Sequence, residues 1–378
     1  MKSPPHLLAT AFLAGRLENV DMTGRAQQLL SSSRHGSVLA KISERVLERF
    51  GEGTRPSPRA IQVFLETDKG LKRWLSRAKN APFAQADASI FPSVMCPATG
   101  APSTWNMPIL PTIGKLADWL GLTLGELSWF AGIQAQRSTD SKPCHYHYEW
   151  REKRSGGVRL LEKLKEALKL HQRRVLDKIV SAIPAHAAVH SFLPSRSVRS
   201  YVEGHAGKAA VLRMNLADFF PSLTAARVRA LIRTAGYPDA VARFFTGLMC
   251  LATPSSVLSQ AAKRTMHASR ERLASPGLPQ GAPTSAALSN VLLFRLDTHI
   301  AGIAESMGAH YTRYADDMAF SGDTLFMRQA NGVDPANRGD HCGGGTASAA
   351  SEDSTHASES KAAAGRPSDQ STSQHQQT

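Results

Sequence analysis

The chain has little cysteine, no long apolar run and, toward its C-terminal end, no large apolar side chain at all. Its four cysteines, Cys96, Cys144, Cys250 and Cys342, are scattered without paired spacing. That excludes a disulfide-stapled scaffold and predicts a reducing, cytoplasmic setting. Nowhere do roughly 18 apolar residues run together, as a membrane span requires. The apolar stretch Leu7 to Gly15 is too short for a signal peptide and is bounded by Pro4-Pro5 and Arg16, so it predicts an ordinary helix. From Asn337 to Thr378 there is no large aliphatic or aromatic residue. Such a segment cannot bury enough apolar surface to offset its ordering, which predicts a disordered tail. His341 and Cys342 within it read as linker, because two ligands do not make a metal site.

Positive charge is plentiful. Lys and Arg number 45 against 31 Asp and Glu, for a net +14. The tail from Asn337 holds three basic and five acidic residues, so the body before it is more basic than the whole. A cationic body favours phosphate backbones through counterion release, without distinguishing RNA from DNA. Solubility alone would be served by the same charge. Arg151, Lys153 and Arg154, with Arg159 beyond Gly156-Gly157, read as a basic hairpin or loop suited to phosphate groups. Tyr146, Tyr148 and Trp150 alternate with His145, His147 and Glu149 at strand period. Core packing is the favoured role for these aromatics over base stacking. Cys144, His145 and His147 have no distant partner in view and are discounted as a metal site.

Residues 1 to about 80 read as charged amphipathic helices, and the Pro-rich stretch Ala81 to Pro111 as a linker. Leu116, Trp119 and Leu120 then stand at helical spacing before Gly121, and Thr123 to Glu126 forms a capping box that opens a second helix. That helix offers no basic residue to a DNA groove, so the pair reads as a packing unit.

Two adjacent carboxylates, Asp316 and Asp317, stand between the strand-forming runs Ala309 to Tyr314 and Met318 to Ser321. The runs predict an antiparallel hairpin with the acidic pair at its tip. Neighbouring strand residues face opposite ways, so one Asp, Asp316, is expected to take most of any metal binding, with Asp317 in support. Alone, an Asp-Asp pair in a turn is ordinarily a solvated bend.

Tyr314-Ala-Asp-Asp317 resembles the polymerase signature of reverse transcriptases, and further blocks extend the likeness in order. Leu278-Pro-Gln280-Gly281-Ala-Pro283 followed by Leu288-Ser-Asn290 is similar to the nucleotide-binding turn and helix start of that family. Val211 to Ser222 is similar to the strand bearing the other metal-binding carboxylate. Arg159, Leu161, Glu162, Lys165, Leu168, Lys169 and Gln172 match the fingers motif, and Ser195-Arg196-Ser197 with His205 the next block. The order and spacing from about Cys144 to Gly322 are most similar to bacterial retron-type reverse transcriptases. The resemblance implies an α+β fold, with the fingers and palm of a right-hand polymerase and an antiparallel palm sheet over 141–322. A helical extension would occupy 1–140 and a low-complexity tail 323–378.

It also implies roles. Asp316 and Asp317 would be catalytic and bind Mg2+, with Asn215 in the third ligand position. Arg159 would contact the triphosphate and Asp218 would lie beside it. Phe220 would exclude a ribose 2′-hydroxyl, and Gln280 and Gly281 would lie against the incoming nucleotide. Arg151, Lys153 and Arg154 would contact nucleic acid, whereas Phe219 reads as core. The implied activity is RNA-directed DNA synthesis by two-metal nucleotidyl transfer. Its partners would be a structured non-coding RNA, an RNA–DNA duplex, dNTPs and an effector protein in phage defence.

The departures shape the alternative. The family carries Asp where this chain has Asn215, and Asn offers only one neutral oxygen. Asp218, three residues on, would face away from it if the strand continued. Leu164, Ser191 and Tyr201-Val202 also replace residues usual in the family. The matching pattern stops at Gly322, where the family continues into a primer-gripping hairpin and a helical thumb, so the thumb is expected to be missing. These departures favour a noncatalytic, RNA-binding derivative, with an insertion-element maturase a weaker third reading.

Overall fold

In the computed structural model, described over residues 3–78, 83, 86, 88, 91, 94–98, 105–133, 145–153, 156–261, 265–324 and 326, helix ends fall where the sequence supplies caps. The chain opens with α1 (Pro4–Leu13), α2 (Asn19–Leu29), α3 (Gly36–Phe50), α4 (Pro58–Thr67) and α5 (Lys69–Ala78). Pro at the start of α1 and α4 needs no intrahelical N–H partner, and the Ser57 hydroxyl caps α4 by accepting from Ala60 N–H at 3.0 Å. These helices close over a core that includes Leu8, Phe12, Leu17, Met22, Leu39, Ile42, Ile61 and Leu65.

Next come α6 (Ile113–Leu120) and α7 (Leu124–Phe130). Gly121 ends α6 at φ +73°, a left-handed conformation natural to glycine, and the Thr123–Glu126 capping box opens α7 as the sequence predicts. Both helices pack into a second core, running from Leu110 to Ala315, rather than against α1–α5.

The antiparallel pair β1 (Tyr146–Glu152) and β2 (Val158–Leu164) turns through Gly156 and Gly157, both at positive φ. Tyr146 is buried in the second core, as the packing reading expects. The chain continues through α8 (Glu166–Lys178), α9 (Val198–Glu203), β3 (Ala210–Asn215), α10 (Phe219–Ser222), α11 (Ala225–Thr234) and α12 (Asp239–Met249). It then runs through α13 (Ser255–Ser259), α14 (His267–Ala274), α15 (Pro283–Leu292), α16 (Phe294–Ser306), β4 (His310–Tyr314) and β5 (Asp317–Gly322). The last two strands form the expected hairpin. β3 pairs on the far side of β5, giving an antiparallel sheet in the order β3-β5-β4. The fold is therefore α+β with small antiparallel sheets.

Register decides what meets at the sheet end. Asn215 and Tyr314 both pair with Asp317, so the last residue of β3 and the β4–β5 turn are brought side by side. Beneath the turn, Arg313 and Asp297 form a fully buried bidentate pair at 2.7 Å, and Tyr311 Oη donates to the same carboxylate at 2.8 Å. No described helix is long and apolar enough to cross a membrane. Arg154, Cys144 and all of the expected tail except Asp323, Thr324 and the buried Phe326 lie outside the described residues.

Candidate active site

Two residues, Ala315 and Asp316, link β4 to β5, and Ala315 adopts φ +56°. A left-handed alanine is strained, and it persists only where its surroundings hold it. Here both its backbone groups are held. Its N–H donates to Ser191 Oγ at 2.8 Å, and its carbonyl accepts from buried Arg313 Nη1 at 3.0 Å. Asn290 Nδ2 fixes the Ser191 segment by donating to its carbonyl at 2.8 Å. Leu216 N–H, just past β3, donates to the Asp316 carbonyl at 2.9 Å.

The turn corrects the expectation that the acidic pair divides between opposite faces. Asp316 lies in the turn rather than on a strand, so both carboxylates reach one donor. Asn215 Nδ2 lies 3.2 Å from Asp316 Oδ2 and 3.1 Å from Asp317 Oδ1. Arg213, two residues back on β3, also donates to Asp317 Oδ1 at 3.2 Å. The pair is thus met by a neutral amide and a guanidinium from the neighbouring strand.

The donor set bears on metal binding. Two half-buried carboxylates and one amide suit one hard cation, since magnesium is commonly held by one or two carboxylates plus substrate phosphates. Among the described residues no three His, Cys, Asp or Glu groups gather for a metal. Two cations would have to draw most of their charge neutralisation from elsewhere.

β3 ends at Asn215, and Asp218 stands at the N-cap position of α10 in a left-handed conformation, φ +47°, so it is not a strand residue. Its carboxylate accepts from Ser269 Oγ at 2.6 Å and Arg272 Nη1 at 2.8 Å, so it is tied to α14. Phe219 is core, and Phe220 is half-buried with its ring 5.1 Å from that of Phe219.

Gln280 and Gly281 are fastened to β2. Glu162 N–H donates to the Gln280 carbonyl at 2.8 Å, and Gln280 N–H donates back to Glu162 Oε2 at 3.3 Å. Gly281, at φ +124°, passes so close that an added Cβ would stand 3.1 Å from the Glu162 carbonyl oxygen. Thr253 Oγ1 satisfies the other Glu162 oxygen at 2.7 Å. Burial dominates and pushes the Glu162 carboxyl up to about 7. Gln172 joins α8 to α15 by accepting from Thr284 Oγ1 at 3.0 Å while donating to the Leu248 carbonyl at 2.8 Å. Glu162 and Gln172 therefore serve as buried ties of the glycine turn.

Arg159 is exposed on β2 directly opposite Arg151. Arg151 is engaged by Glu149 at 2.6 Å, and Glu149 also meets Lys163; Lys153 is exposed at the hairpin end. His205 hydrogen bonds Ser321 Oγ at 2.7 Å and Thr312 Oγ1 at 2.6 Å, bracing β5 to β4. Burial first, then the nearby His310 and His190, lower its pKa to about 4.

Sequence reasoning named Asn290 and Ser191 without their roles at the turn, and missed Arg213 and the Arg313–Asp297 pair.

No family profile matches the chain. Among known proteins it is similar to the retron Mx65 reverse transcriptase of Myxococcus xanthus, 32% identical over 315 residues, covering 81% of this chain and 69% of that protein. It is 37% identical over 212 residues to the retron Mx162 reverse transcriptase of the same organism, covering 56% of this chain and 42% of that protein. The retron Ec86 reverse transcriptase of Escherichia coli is 31% identical over 158 residues, 42% of each chain. The chain thus spans less than half the length of the second and third of these relatives.

Proposed function

Because the chain belongs to the retron reverse transcriptases, we propose that the acidic turn is a nucleotidyl-transfer site that extends a DNA primer on a structured RNA template. The observation that carries this is the convergence of Asp316, Asp317 and Asn215 at the sheet end. In this reading the three-stranded sheet is the polymerase palm, and β1, β2 and α8 belong to the fingers.

Asp316 and Asp317 would hold Mg2+, and Asn215 would be a third ligand only after its amide turns its oxygen, in place of Nδ2, toward the ion. Bound there, magnesium supplies activation of the primer hydroxyl and neutralisation of the leaving pyrophosphate. Transfer with two ions would take its remaining anionic ligands from the substrate phosphates. Gln280 and Gly281, fastened to Glu162 on β2, would lie against the incoming dNTP. Arg159 offers a permanently charged fork to its triphosphate. Phe220 would crowd a ribose 2′-hydroxyl, and Asp218 would border the triphosphate while tied to Arg272. Arg151, Lys153 and Arg154 would contact the template or the RNA–DNA duplex.

A second reading, RNA binding without synthesis, is favoured by Asn215 itself. Its neutral amide already satisfies both carboxylates and removes one negative charge from the site. Primer extension on a primed RNA with Mg2+ and dNTPs decides between the two: synthesis abolished by Asp316→Asn supports the first, whereas salt-sensitive RNA binding with no synthesis supports the second. The setting we propose is cytoplasmic phage defence with an effector protein. Challenging cells that carry the locus with phage, with Asp316→Asn as control, tests it.

A further inference from the structure

Helix α5 carries Lys69, Lys72, Arg73 and Arg77 and no acidic residue. Offsets of three, four and eight place all four on one face, and all four are exposed. None forms an ion pair among the described residues. The nearest acid in sequence, Asp68, is committed to Arg45 at 2.7 Å and to the Leu71 N–H at 2.6 Å. Like charges three and four residues apart on a helix destabilise it. A face needed only for solubility would mix signs, as α3 does with exposed Lys41, Glu44 and Glu48.

The opposite face of α5 is already used. Leu71 is fully buried, and Trp74 packs with its ring centroid 5.2 Å from His35 and 5.7 Å from Phe83. An amphipathic helix that lies on a membrane inserts its apolar face, and α5 has none to spare. What it presents is a row of cations at helical spacing, whose complement is a phosphate backbone.

We infer that α5 is an RNA-docking surface of the N-terminal helical unit, contacting phosphates of the structured RNA independently of the β1–β2 hairpin. This rests on the reading of RNA as partner, and it assigns contacts to a part of the chain outside the polymerase blocks. Such contacts carry no sequence information; they hold the RNA in place by charge.

The test compares the full chain with a variant carrying Lys69→Gln, Lys72→Gln, Arg73→Gln and Arg77→Gln, since Gln keeps helix propensity. Thermal unfolding confirms that both fold. Binding of a fluorescent synthetic RNA hairpin is titrated across a range of salt. The variant should bind at least tenfold more weakly at low salt. Its plot of log affinity against log salt should be shallower by about three to four, from a slope of roughly 0.7 to 0.9 for each of the four lost phosphate contacts. A variant with Lys69→Arg and Lys72→Arg should keep both affinity and slope.

If the full chain binds steeply with salt and the Gln variant matches it, α5 is not the docking surface and the RNA reading stands without it. If the full chain does not bind the hairpin at all, the RNA reading fails and takes this inference with it. Binding to vesicles containing anionic lipid that the Gln variant loses, with RNA binding unchanged, would overturn the inference in favour of a membrane surface.

Discussion

Asn215 Nδ2 lies 3.2 Å from Asp316 Oδ2, joining residues 101 positions apart. The same nitrogen reaches Asp317 Oδ1 at 3.1 Å, so a neutral donor sits between two carboxylates that would otherwise repel. An aspartate there would add a third negative charge and create a demand for a cation.

Asn215→Asp should therefore be less stable than the parent in chelator and should recover with Mg2+. Its melting temperature should rise with added magnesium by clearly more than the parent's, as expected when a ligand binds only the folded state. Equal shifts for the two proteins would remove Asn215 from the metal site.

The left-handed Ala315 depends on buried groups that never touch solvent. Arg313→Met would strand the Asp297 carboxylate and should cost about 3–5 kcal/mol by chemical denaturation. Arg313→Met combined with Asp297→Leu should recover much of that, because an apolar pair of similar shape replaces the ion pair. Ser191→Ala, which leaves the Ala315 N–H without its partner, should cost about 1–3 kcal/mol. A neutral Ser191→Ala would mean that the turn is held without this hydroxyl.

Glu162 titrates near 7 in the folded chain, against 4.5 for a free side chain. Between those values the folded state holds the extra proton, so its contribution to stability falls as pH rises from about 4.5 to 7. Glu162→Gln, which can still bond Thr253 and the Gln280 N–H, should flatten this limb. At pH 8 it should gain up to about 3 kcal/mol over the parent, the equivalent of the shift in free energy. A parent whose stability does not fall over that range contradicts the buried-proton account.

His205 acts in the opposite sense. Its folded pKa near 4 lies below the usual 6.5, so the unfolded chain takes up the proton first as pH falls. Stability contributed by the neutral ring is present above 6.5 and is lost between 6.5 and 4. The imidazole resonances in an NMR titration should remain those of neutral His205 at pH 5.5.

How much of this was legible in the sequence varied with the range of the interaction. The capping box at Thr123, the glycine end at Gly121 and the hairpin around Asp316 and Asp317 are local patterns, and each was readable. The convergence of both carboxylates on Asn215 was not, because it depends on Ala315 leaving the strand conformation, and nothing in an alanine announces that. The tie of Asp218 to α14 was not legible for a related reason: β3 stops at Asn215, and the salt bridge comes from Arg272, 54 residues away. Ser191 stood out only as a departure from the family, yet its hydroxyl holds the turn.

RNA binding and chemistry should separate cleanly. In the absence of magnesium, charge reversal at Arg151 and Lys153 should weaken RNA affinity for all sequences alike. Asp316→Asn with Asp317→Asn should leave it unchanged or raise it, since carboxylates repel phosphate. Much weaker binding by the double Asn variant in a fluorescence titration would show that the acidic turn supports the fold instead of serving chemistry.

The most direct measurement of the central claim is magnesium-dependent primer extension on a primed RNA by three proteins: the parent, Asn215→Asp, and Asn215→Asp with Asp316→Asn. The site described here predicts weak magnesium-dependent synthesis by the parent, a gain of at least tenfold with Asn215→Asp, and loss of that gain when Asp316→Asn is added. No synthesis by Asn215→Asp, or a gain that survives Asp316→Asn, would contradict it.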